Sequence, residues 1–181
     1  TTRSSLQTWK KAAKIADYHP PTAMACCYPF NQGFIEASVA NIKASYTEAK
    51  KDGHENIRVL FSAHGLPESV IKEGDPYQWQ CEKTAEDIAN ALGIDNLDWA
   101  ICYQSRVGPQ KWIGPSTEDE IERAGEEGIG LIIIPIAFVS EHSETLVELD
   151  IEYRELAEEK GVLGYHKVPA LNSEPFYIEA L

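Results

Sequence analysis

The chain has 181 residues with 43% hydrophobic content, enough for one domain with a buried core. Its 29 acidic and 16 basic residues give a formal net charge of −13. That balance argues against a nucleic-acid partner, because phosphate binding needs clustered Lys and Arg. A cationic or neutral ligand fits better, although acidic surfaces commonly serve solubility alone.

In chain order, helical periodicity marks residues 33–51, 78–92, 117–127 and 143–160. Between and after these lie apolar, β-branched runs at residues 57–63, 99–103, 131–137 and 162–168, each read as a strand. Strands that are apolar on both faces and separated by helices predict an α/β fold, with a parallel sheet covered on both sides. Gly93 and Gly161 are placed to end two of the helices, and Ser116 or Thr117 to cap the helix over 117–127. The longest apolar stretch, residues 129–139, contains Pro135 and is too short to cross a bilayer. Residues 1–14 include no Met and no apolar signal core, so the expectation is a piece of a longer chain. Cys26, Cys27, Cys81 and Cys102 lack the two-residue spacing of zinc or iron–sulfur ligands. They are expected to be reduced, partly buried thiols of a cytoplasmic protein.

In a parallel α/β sheet, ligands bind outside the carboxyl ends of the strands. Three loops therefore matter. The first carries His64, which can ligate a metal or accept a proton near neutral pH, followed by Gly65, which permits close approach. The second runs Tyr103-Gln104-Ser105 to Trp112, an aromatic between Gly/Pro turns that can wall a flat ligand. The third leads from Pro135 through His142 to Glu144 and into a helix. At about 100° per residue, Glu141, Glu144, Glu148, Glu152 and Glu155 share an arc of roughly 80°. An apolar face of Leu146, Leu149, Tyr153 and Leu156 lies beside that stripe. An acidic row of this kind is usually just solvated, but one starting at a strand's carboxyl end could pass cations or protons along. His64 and Glu144 together would offer a donor pair suited to Fe(II).

Taken together, the three blocks resemble ferrochelatases. They are Leu60-Ser62-His64-Pro67 with Gly74-Asp75-Pro76-Tyr77, then Tyr103-Gln104-Ser105 with Trp112-Ile113-Gly114-Pro115, then Pro135 to Phe138 with Glu144 to Tyr153. The resemblance implies a Rossmann-like, three-layer, class II chelatase-like domain with a four-stranded parallel sheet. It further implies that residues 1–181 form the C-terminal lobe, with porphyrin bound in a cleft against an N-terminal lobe of the same parent. Fe(II) would be a substrate in the last step of haem formation. His64 and Glu144 match the family's active-site pair, catalytic and metal-facing. His142, Glu148 and Glu152 match a proton or metal path, and Trp112, Tyr103 and Ser105 match porphyrin contacts. Lys111 stands where many relatives carry proline, which is expected to loosen that loop. Ala37 replaces a cluster cysteine of some relatives, so no [2Fe–2S] cluster is expected. Peripheral membrane contact is left open. The rivals are a cobalt or nickel chelatase on the same fold and a noncatalytic metal- or porphyrin-binding lobe.

Overall fold

Four parallel strands form one sheet in the order β2-β1-β3-β4, comprising β1 (Ile57–His64), β2 (Asp98–Gln104), β3 (Gly130–Pro135) and β4 (Tyr165–Lys167). The computed structural model describes every residue except Thr1 and Cys26, and not the side chains of Thr2 and Arg3. The expectation for Cys26 therefore lies outside the described residues. Helices α2 (Gln32–Lys51), α4 (Tyr77–Leu92), α5 (Thr117–Glu127) and α6 (Tyr153–Glu159) alternate with the strands. Three further helices, α1 (Thr2–Ile15), α3 (Glu68–Lys72) and α7 (Pro175–Glu179), are not among those expected from the sequence.

Alternation along β1 explains the layers. Val59, Phe61 and Ala63 pack with Ile42 of α2, Ile88 of α4 and Tyr177 of α7. Leu60 faces the other way, into a second core with Ile121, Leu149, Tyr153 and Ala157. Both faces are thus covered, as strands apolar on both sides require. The result is the predicted three-layer α/β fold, with the ends of β1, β2 and β3 within two residues of their expected places, whereas β4 keeps only three residues.

Helix ends follow local chemistry. The Ser116 hydroxyl accepts from the Asp119 N–H while the Asp119 carboxylate accepts from the Ser116 N–H, a reciprocal cap that starts α5. α4 stops at Gly93, whose φ of 64° suits glycine.

One helix departs from expectation. Residues 143–160 do not form a single α-helix; Glu144–Glu152 is a π-helix, and α6 follows it. Its i→i+5 bonding is visible where the Tyr153 N–H donates to the Glu148 carbonyl. The wider turn changes which side chains face inward. Leu146, expected on the apolar face, is exposed together with Val147 and Ile151, whereas Thr145 and Leu149 are buried.

Candidate functional site

β1 ends at the centre of the sheet on His64, and the β1–β3 junction is where the strand order reverses, the usual crevice of such sheets. His64 Nδ1 lies 2.6 Å from the Gly65 carbonyl oxygen. A carbonyl only accepts, so the pairing places a ring proton on Nδ1, and in the neutral ring the Nε2 lone pair is the one left for a metal or a proton. From below, Tyr77 Oη donates to the His64 carbonyl at 3.0 Å. Burial pushes the Tyr77 phenol well above its ordinary range, so it remains a donor. The Gly65 N–H donates to the Gln104 carbonyl at 2.8 Å. A Cβ at Gly65 would lie 3.0 Å from that oxygen and from Arg106 Cγ, and 3.3 Å from Trp112 Cε3. Glycine here lets the first two loops close on each other.

Those loops are zipped by backbone bonds from Ile113 N to Leu66 O (3.0 Å) and Glu68 N to Lys111 O (2.9 Å). Lys111, expected to loosen the segment, instead adds an ion pair to Glu68 at 3.0 Å. Trp112 is consequently held against the glycine that follows His64. Tyr103 behaves differently from Trp112: it is fully buried in the core beneath the rim, and its hydroxyl has no hydrogen-bond partner among the described residues. Ser105 turns the chain at the end of β2 with a φ of 58°, in the left-handed region.

The third loop brings the acids in. His142 Nδ1 accepts from the Glu144 N–H at 3.1 Å, and the Thr145 hydroxyl accepts from the His142 N–H at 2.9 Å, so His142 and Thr145 cap the π-helix. His142 therefore uses Nδ1 as an acceptor and carries its proton on Nε2, the opposite tautomer to His64. The Phe138 ring stands between the two imidazoles, with its centroid 6.3 Å from that of His64 and 4.6 Å from that of His142.

Gln104 joins the loops. It is the ladder partner of His64, is fully buried, and donates through Nε2 to the Glu144 carbonyl (3.2 Å) and to Glu148 Oε2 (3.0 Å). Glu148 also accepts from the Ser105 N–H and hydroxyl, at 2.7 and 2.5 Å, and lies 3.1 Å from Tyr153 Oη. The single acidic stripe does not survive. Glu141 precedes the helix and turns to Lys167 Nζ and the Ala170 N–H, Glu148 is tied to the second loop, and Glu152 and Glu155 face solvent. The α-helical angle used to align them does not hold in a π-helix.

Contacts thus tie together the segments that carry His64, Trp112, Ser105, His142, Glu144 and Glu148 as one rim, with Tyr103 buried underneath and Glu152 further along the helix. Among the described residues, no group of three or more His, Cys, Asp and Glu side chains is arranged to hold a metal ion by itself. On the α2–α4 side, a cavity of about 300 Å³ opens between Tyr28, Tyr77, Gln80, Cys81, Ile136 and Val139.

The sequence profile of the ferrochelatase family matches residues 1–181. The chain belongs to the ferrochelatase family. It is 50% identical to the ferrochelatase of Pelagibacter ubique, 52% to that of Hyphomonas neptunium and 55% to that of Caulobacter vibrioides, over 100% of this chain. It covers 51%, 48% and 50% of those proteins, so the chain spans about half the length of the curated relatives it matches. The solved structure of SirB from Bacillus subtilis with Fe3+ covers 80% of this chain, and the chain covers 50% of SirB, at 19% identity and a TM-score of 0.48, too slight a likeness to add to this. Among the described residues, no helix is long and apolar enough to cross a membrane.

Sequence reasoning on this ferrochelatase-family chain missed Gln104, Tyr77 and Phe138 as organisers of the rim. A polar residue closing an apolar strand was the available signal for Gln104. For Tyr77, thirteen residues from His64, only the fold reveals the contact.

Proposed function

We propose that this chain is the metal-side, C-terminal lobe of a cytoplasmic ferrochelatase that inserts Fe(II) into protoporphyrin, with His64 and Glu144 facing the metal. The observation that carries the reading is the orientation of the His64 ring at the reversal point of the sheet, where its ladder partner Gln104 holds the Glu144 backbone. Imidazole nitrogen and carboxylate oxygen together suit Fe(II), which arrives as a substrate. Trp112 would offer its face to the macrocycle.

Metalation of a porphyrin replaces two pyrrole N–H bonds with metal–nitrogen bonds, so two protons must leave. Neutral His64 accepts one at Nε2 without losing its Nδ1 contact to Gly65, which keeps the ring in place during transfer. His142, already an acceptor at Nδ1, serves first to start the π-helix and so to set the position of Glu144. Porphyrin would be enclosed between this lobe and the N-terminal lobe of the parent.

The test is metalloporphyrin formation by the full-length gene product, followed through the Soret band with Fe(II), Co(II) and Ni(II) supplied separately. Turnover with protoporphyrin and Fe(II) is expected for the full-length protein and none for this chain alone. Haem formation by the isolated chain contradicts the two-lobe reading, and preference for Co(II) or Ni(II) on a non-porphyrin ring transfers the assignment to the related chelatases.

A further inference from the structure

The buried Tyr153 hydroxyl stands 3.1 Å from two carboxylates at once, Oε1 of Glu148 and Oε1 of Glu118. The two acids belong to different places. Glu148 belongs to the rim, bonded to the Ser105 hydroxyl, whereas Glu118 lies exposed in the first turn of α5 on the flank of the domain. Tyr153 itself is 5% exposed. A phenol has one hydrogen to give, so it can serve only one of these acids as donor. The other contact becomes a hydrogen bond only when that carboxyl carries a proton.

We infer that Glu148, Tyr153 and Glu118 form a proton exit from the metal-insertion rim to solvent on the α5 side. This rests on the proposed metalation reading and adds to it the route by which protons leave. The second pyrrole proton, freed as its N–H bond gives way to a metal–nitrogen bond, is taken up by Glu148 as a carboxyl O–H; of the donors on that carboxylate, Tyr153 has a second carboxylate waiting at the same distance. The Glu148 O–H bond then breaks as a new O–H forms on Tyr153 Oη, while the original Tyr153 hydrogen passes to Glu118 Oε1. Glu118 releases it to water, and the hydroxyl rotates back to reset. Charge and atoms balance at each step, and no phenolate forms. Burial and the two neighbouring acids hold the Tyr153 phenol far above its ordinary range, which suits an exchange of hydrogens rather than ionisation. The exposed Glu152, one residue before Tyr153, is not needed.

The experiment is single-turnover metalation by the full-length protein at low buffer concentration, with Tyr153→Phe and Glu118→Gln as variants and imidazole added as a mobile proton acceptor. Glu118→Gln alters an exposed side chain, so it remains informative should Tyr153→Phe fold poorly. Both variants are expected to slow by about tenfold or more and to recover as imidazole rises, while wild type responds little. Wild-type rates in either folded variant, or a loss that imidazole does not restore, overturn the exit route. Wild-type protein that forms no metalloporphyrin defeats the metalation reading itself, a distinct result.

Discussion

The Gln104 side-chain amide donates to the backbone carbonyl of Glu144 at 3.2 Å. Because Gln104 also pairs with His64 across the β1–β2 ladder, one buried side chain sets the spacing between the two residues proposed to face the metal. Gln104→Met preserves volume while removing the donor to Glu144 and Glu148 and the acceptor for Ser62. The expected cost is about 2 kcal/mol in urea unfolding, from lost bonds and buried groups left unpaired. Metal insertion by the full-length protein should fall with it. An unchanged rate would show that Glu144 needs no support from β2.

Tyr77→Phe removes only the hydroxyl that holds the His64 carbonyl. A single neutral hydrogen bond contributes about 1 kcal/mol, so the fold should survive with a slightly lower Tm. The informative readout is the His64 ring, whose NMR resonances should broaden or shift if its backbone anchor matters. Resonances identical to wild type would assign Tyr77 to packing alone.

Arg58 tests the opposite end of the sheet. Its side chain is 8% exposed and bonds Asp98 at 2.8 Å and Glu127 at 2.7 Å, both partners being nearly half exposed. Removing one member of a fully buried pair costs about 3–5 kcal/mol; here the carboxylates left behind reach water, so Arg58→Met should cost about 2 kcal/mol. KM for porphyrin should not move, since Arg58 lies at the amino-terminal end of β1. A changed KM would mean that strain there reaches the rim.

Stability should decline on the acid side in two stages. His166 is lowered from 6.5, first by burial and then by the neighbouring His54, with Asp52 opposing. Below 6.5 the unfolded chain binds a proton that folded His166 resists, so stability is full above 6.5 and falls as pH drops toward the folded value. Glu141 is lowered from 4.5: burial acts against this, but Lys167 Nζ and the Ala170 N–H outweigh it. Its contribution is present above 4.5 and lost as pH falls through the depressed value. His166→Phe should flatten the first stage and Glu141→Gln the second in chemical unfolding measured across pH. A profile unchanged by either variant would contradict these assignments.

Much of this was legible in the sequence for physical reasons. Residues 57–63 and 131–137 read as strands because both faces of a central parallel strand are buried, leaving an uninterrupted apolar run. The bounds of α5 were legible from its periodicity and a capping residue at 116 or 117, and the structure gives that cap to Ser116, paired with Asp119. The helix after Glu144 was misread because amphipathic reading assumes an α-helical turn, and there Leu146 and Val147 face solvent while Thr145 is buried. The positions of His64 and Glu144 followed from strand ends, but the link between them did not. Gln104 is separated from Glu144 by forty residues, and only the sheet brings them together.

The most direct test of the central claim is Fe(II) insertion into protoporphyrin by the full-length protein carrying His64→Ala, with circular dichroism confirming the fold. With the Nε2 lone pair gone, the rate should drop by at least about a hundredfold, as expected for loss of a positioned base or ligand. Near wild-type haem formation by the folded variant would contradict the assignment of His64 to the metal-facing site.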